Sequence, residues 1–192
     1  MTDNAQGLLF GAPKSKSRTL VFDLETQNSF DDVGGRNKMV ELRMSVGVTY
    51  ALETKEFAVY RENDVNALIE DLRAANRVIG FNHKNFDYAV LGRYTKLDWS
   101  TVKSFDILED LAKILGHRVK LDSVAAATLG MKKSGHGLQA IEWFRKGEWD
   151  TLIRYCKDDV KITADVWAHG VEKKFVMIET WGGPKKVPVD WK

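Results

Sequence analysis

The sequence predicts an α/β protein, a mixed five-stranded sheet flanked by helices. Three observations lead there: three β-like runs in succession, then short apolar strands alternating with amphipathic segments, then a helical end punctuated by glycines. The first run, TLVFDLE over Thr19–Glu25, is rich in β-formers and turns abruptly acidic, as a buried strand does at the rim of a sheet. After a polar, glycine-containing loop come LRMSVGVTY (Leu42–Tyr50) and EFAVY (Glu56–Tyr60), joined by ALETK as a hairpin connection.

Helical spacing then takes over. Val65, Leu68, Ile69, Leu72 and Ala75 recur on one face, with Asn63 or Asp64 as candidate caps. The strand RVIGFN leads into a second helix near residues 85–94, and Val102–Ile107 reads as another strand. Gly116, Gly130 and Gly147 sit where left-handed caps end successive helices. A last long helix is expected from about Asp150 to near His169.

At 192 residues, 44% hydrophobic and 29% charged, the chain suits one domain with a proper core, which excludes a mostly disordered protein. That domain is expected over residues 18–181, with residues 1–17 and 182–192 as flexible tails rich in Gly, Pro and Lys. No stretch approaches the ~18 uninterrupted apolar residues of a spanning helix, and the N-terminus lacks the pattern of a signal peptide. A net charge of +2 is too small to announce a polyanionic partner, so any nucleic-acid argument rests on where charges lie. The lone Cys156 has no internal disulfide partner, which favours a reducing, cytoplasmic setting.

Five residues carry the chemistry. Asp23 and Glu25, two apart on a strand, project from one face while Leu24 points to the other. Such a pair protonates, gains a cation or stands in water at a strand end. Asp87 follows the strand RVIGFN, in the kind of loop where α/β proteins gather functional groups; the plainer alternative is a helix-start aspartate favoured by the dipole. Tyr155 and Asp159 share a helix face that continues through Leu152, Ile162 and Val166. A carboxylate on that apolar stripe calls for a cation or strong donors, whereas Asp158 lies about 100° round the helix and faces solvent. Hard oxygen ligands in such number suit Mg²⁺ or Mn²⁺ rather than zinc. Two such ions roughly 3.5–4 Å apart serve in-line phosphoryl displacement.

These motifs resemble those of the DnaQ-like (DEDD) nucleases. VFDLET is similar to their first motif, D-x-E; GFNHKNFD to their second, an asparagine followed by an aromatic-Asp pair; YCKDD to the tyrosine form of the third, Y-x-x-x-D. The resemblance covers residues 19–169 and points to the DEDDy 3′–5′ exonucleases, closest to stand-alone predicted ribonuclease H-like exonucleases. It implies a ribonuclease H-like sheet of three antiparallel and two parallel strands. It also implies two divalent cations: Asp23 bridging both, Glu25 and Asp159 completing the shell of one, Asp87 anchoring the other. Tyr155 would orient the attacking water, and a phenol with an ordinary pKa of about 10 is a poor base at neutral pH. The implied reaction releases 5′-mononucleotides from a 3′ end of DNA, single-stranded by preference. An exoribonuclease with the same site, and a non-catalytic nucleic-acid binding module, are the alternatives.

Asn82, His83 and Lys84 flank the second motif and are candidates to touch the terminal nucleotide. Lys132, Lys133 and His136 read either as a backbone contact or as ordinary solvated charges. His83 and His117 are expected at the surface, and Trp143, Trp149 and Trp167 in the core. Gln6, Leu9 and Phe10 resemble the short Q-x-x-L-F peptides that dock on bacterial sliding clamps, with Gly7 departing from the usual leucine.

Overall fold

The computed structural model describes residues 18–131 and 137–192; the clamp-like peptide at Gln6, Leu9 and Phe10, and Lys132, Lys133 and His136, lie outside them. In chain order the elements are β1 (Thr19–Thr26), α1 (Phe30–Val33), β2 (Met44–Ala51), β3 (Glu56–Arg61), α2 (Val65–Ala74), β4 (Arg77–Gly80), α3 (Asp87–Leu91), β5 (Ser104–Asp106), α4 (Ile107–Leu115), α5 (Leu121–Leu129), α6 (Gly137–Lys146), α7 (Trp149–Lys173), β6 (Phe175–Thr180) and β7 (Gly183–Pro188). The first five strands form one sheet in the order β3-β2-β1-β4-β5. β1 and β3 each pair antiparallel with β2 between them, while β4 and β5 run parallel to β1. This is the mixed sheet expected from the order of elements.

Both faces of the sheet are buried, because alternate residues of the central strands are apolar on both sides. Val21, Val46, Val48 and Ile79 pack with α7 residues such as Leu152, Val160 and Val166. Phe22, Leu24, Met44 and Val78 pack on the opposite side with Leu68 and Leu72 of α2 and Leu91 of α3. The consequence for Asp23 and Glu25 follows from parity: they share the face of Val21 and so point toward α7, while Leu24 goes into the other core.

The expected glycine caps are present. Gly116 and Gly130 take left-handed backbone angles and end α4 and α5, and Gly147 also has positive φ at the break between α6 and α7.

The C-terminus differs from expectation. Residues 182–192 do not form a loose tail: β6 and β7 make an antiparallel hairpin, and Val187, Val189 and Trp191 are buried. Those three stand two apart, so they line one face of an extended chain; the intervening Pro188 and Asp190 concealed this period. Trp191 stacks on Trp167, with ring centroids 5.5 Å apart, and its indole N–H donates to Asp110 at 2.7 Å. α7 accordingly runs past His169 to Lys173. Gly170 does not end the helix; it makes room for the Trp191 ring, on which an added Cβ would overlap.

In an open helix Gly→Ala gains about 1 kcal/mol. Gly170→Ala is expected to reverse that sign and lose about 1–3 kcal/mol through overpacking, read as a lowered urea midpoint at unchanged m-value.

Candidate active site

Among the described residues, β1 is the only strand flanked by an antiparallel and a parallel neighbour, and the site opens at its carboxyl end. Its ladder with β4 covers only Thr19–Val21 against Arg77–Ile79. Beyond that the strands part, as ligand crevices in open α/β sheets do. The pairing with β2 continues, with Asp23 opposite Val48 and Glu25 opposite Val46, and its register shifts between Glu25 and Thr26. The strand end is pinned by Gln27, whose amide donates to Met44 O at 2.9 Å and to Glu62 at 2.7 Å.

α7 crosses this end of the sheet and brings Asp159 to the two strand carboxylates. One ligand oxygen from each of Asp23, Glu25 and Asp159 lies within 4.8 Å of the others. Glu25 and Asp159 are 9% and 7% exposed, so three like charges converge where water screens them poorly. That donor set, all carboxylate oxygen, suits a small hard cation such as Mg²⁺ or Mn²⁺. Oxygens sharing one Mg²⁺ at about 2.1 Å are separated by roughly 3–4 Å, a spacing compatible with a group whose oxygens lie within 4.8 Å.

Tyr155 stands one turn before Asp159 and faces the same carboxylates. Burial, then the charges of Asp159, Glu25 and Asp23, push its phenol far above the ordinary value of 10.0. It therefore stays a neutral O–H donor and cannot act as a base. Its ring is held edge-on by Trp143 of α6, with centroids 5.5 Å apart. The neighbouring Cys156 is fully buried, and its thiol donates to the carbonyl of Asp23 at 3.7 Å. Burial, with Asp23 next, raises that thiol well above its usual value, so it packs α7 onto β1 and is no nucleophile.

Asp87 lines the same cleft, of about 410 Å³, but is not one of the close group of three. Its carboxylate fills the gap left where β4 departs, accepting the Leu24 N–H at 3.0 Å. Burial raises its pKa to about 7, against the opposing pull of its own and the Leu24 amide. The cleft is closed on its apolar side by Phe30, Phe81, Phe86, Leu138 and Ile141.

Of the three residues expected to touch substrate, only Asn82 lines this cleft. Lys84 extends to the surface and pairs with Glu109 at 2.8 Å. His83, expected at the surface, is 0% exposed behind the loop, packed edge-on against Tyr88. The reason is a residue the sequence reading missed. Asp106, at the end of β5 and 3% exposed, accepts the backbone N–H of Asn82 at 2.9 Å, of Lys84 at 3.1 Å and of Glu109 at 3.1 Å. It caps α4 and at the same time folds the loop before Asp87 inward, carrying His83 under it and Asn82 into a left-handed conformation, φ 71°. The available signal was SFDILE, an aspartate at a strand-to-helix junction in N-cap position.

The family model of the RNase H superfamily matches residues 20–170, from the start of β1 to the last turns of α7. The chain belongs to this superfamily. Membership carries a coarse function with it: a nuclease domain that hydrolyses nucleic-acid phosphodiesters with divalent metal, and the acidic cluster of Asp23, Glu25 and Asp159 is suited to hold such a metal. No curated protein matches the chain. Among the described residues of this RNase H superfamily domain, no helix is long and apolar enough to cross a membrane.

His83 sets a pH dependence on the domain. Burial lowers its pKa from 6.5 to about 4, against the pull of the Asp106 carboxylate, whose Oδ2 lies 3.5 Å from Nδ1. The unfolded chain takes up this proton near pH 6.5 and the folded one only near 4, so stability falls as pH drops through that window. Between pH 7 and pH 5 this one group is expected to remove about 2 kcal/mol, and His83→Leu is expected to flatten the acid limb by that amount in urea titrations at the two pH values.

Proposed function

We propose that this chain is a DnaQ-like exonuclease of the DEDDy type, which removes 5′-mononucleotides from the 3′ end of single-stranded DNA. The observation that carries the reading is the Tyr155–Asp159 pair on α7 standing over Asp23 and Glu25, with Asp87 on the same cleft. The D-x-E, N-x-x-x-F-D and Y-x-x-x-D motifs of the sequence are the residues that meet there.

Asp23, Glu25 and Asp159 would hold one divalent ion, Mg²⁺ or Mn²⁺, and Asp87 with Asp23 a second. Bound there, the ions would supply Lewis acidity to the phosphoryl oxygens and make hydroxide accessible at neutral pH. The protein's own part is positional. Tyr155, kept protonated, donates a hydrogen bond to the attacking water and fixes its lone pair toward phosphorus. Asp87, anchored on the Leu24 amide, stands on the leaving-group side of the cleft. Phe30 and Phe86, edge to face at 6.0 Å, offer an apolar wall for the terminal base.

A non-catalytic binding module has less to recommend it, because three converging carboxylates cost stability unless a cation offsets them. DNA and RNA are separated by a 2′-OH contact, and the assay below reads both.

Incubation of 5′-labelled single-stranded DNA and RNA with Mn²⁺ is expected to yield a descending ladder on DNA and mononucleotides as product. Asp23→Ala or Asp159→Ala is expected to abolish it at unchanged thermal stability or better, since each relieves like-charge repulsion. Tyr155→Phe is expected to lower kcat by at least tenfold, on the order of a positioning contact beside a metal site, with little change in KM. Cutting by Asp23→Ala at the wild-type rate, or internal fragments in place of a ladder, would remove the exonuclease reading.

A further inference from the structure

We propose that Arg61 and Arg118 are phosphate-binding side chains that grip a single nucleic-acid strand on either side of the carboxylates. This rests on the nuclease reading above and deepens it by naming the substrate contacts.

Arg61 is placed by sheet register. Glu25 is opposite Val46, and Val46 is opposite Arg61 on β3, so the three side chains leave the same face of the sheet. Two strand spacings of about 4.8 Å put Arg61 about 10 Å from Glu25 along the edge that carries the site. Its guanidinium lies over the ring of Trp149, the first residue of α7, 4.3 Å from the centroid, a cation–π contact that tethers it at the helix end.

Arg118 lies on the other side. It follows α4 and donates to Oδ1 of Asn82 at 2.6 Å. Asn82 lines the cleft and is itself fixed by Asp106, so Arg118 is tethered to the cleft wall next to β4. From β3 to β4 is about three strand spacings, roughly 14 Å, a span of a few nucleotides.

Both arginines are exposed, and among the described residues neither has a carboxylate within ion-pair distance. Arg43, Arg93 and Arg145, by contrast, are tied to Glu62, Glu41 and Asp32. A planar guanidinium pre-oriented by a ring or an amide, with its charge uncompensated, is matched to a phosphate diester. One such group on each flank of a carboxylate cluster also resolves an electrostatic problem, since the cluster alone repels a polyanion.

The test is fluorescence anisotropy of a 5′-labelled dT12 with Ca²⁺ in place of Mg²⁺, across a KCl series, beside Mn²⁺ kinetics on the same oligonucleotide. Arg61→Gln and Arg118→Gln are each expected to make the slope of log K against log [KCl] shallower by about 0.7, the value of one phosphate contact on a single strand. Each is expected to weaken binding on the order of tenfold at fixed salt, and in kinetics to raise KM much more than it lowers kcat. Arg61→Lys is expected to keep the slope while losing affinity, because the ammonium lacks the planar stack on Trp149. Arg73→Gln on α2, a residue paired with Glu70, is expected to leave the slope unchanged. Slopes equal to wild type in both arginine variants would overturn the proposal, as would a wild-type protein that does not bind dT12. Wild-type binding with these slopes but no mononucleotide release would sink the exonuclease reading and leave the two-arginine grip standing.

Discussion

Everything at the cleft depends on one packing contact, α7 laid across the carboxyl end of β1. Asp23 and Glu25 are two apart on the strand and Asp159 comes from far along the chain, and like charges do not assemble of their own accord. What holds them is apolar: Leu152, Val160 and Val166 of α7 against Val21, Val46 and Val48 of the sheet, with Cys156 donating to the Asp23 carbonyl. The core thus brings together carboxylates suited to hold a divalent cation. Ion binding and folding are linked in such an arrangement, since the ion favours only the state in which the carboxylates converge.

The second organising element is a buried aspartate beside the cleft. Asp106 gathers backbone N–H groups from the loop after β4 and from the first turn of α4. It thereby fixes where Asp87 begins its helix and where Asn82 meets the cleft. Asp87 in turn substitutes a side-chain acceptor for the missing strand partner of Leu24. Two aspartates, neither in the group of three, convert a diverging pair of parallel strands into a rigid wall.

Much of this was legible in the sequence because it rests on local periodicity. The i, i+2 spacing of Asp23 and Glu25 and the i, i+4 spacing of Tyr155 and Asp159 state which face each side chain shares, and Leu24 and Leu152 state which face is apolar. The five strands announced themselves by β-formers, and the glycine caps by position. What escaped was nonlocal. His83 looks like any polar loop residue until Asp106 folds the loop over it. Val187, Val189 and Trp191 alternate, but their partners, Gly170 and Trp167, lie on another element. Arg61 reads as a strand-end charge; only two successive ladder registers bring it into line with Glu25.

The central claim is that Asp23, Glu25 and Asp159 form a single cation site. Anomalous diffraction from crystals soaked in Mn²⁺ addresses it without reference to turnover. The account requires a manganese peak in contact with carboxylate oxygens of all three residues. A protein that takes up manganese elsewhere on its surface, while this cluster shows no peak, would contradict it.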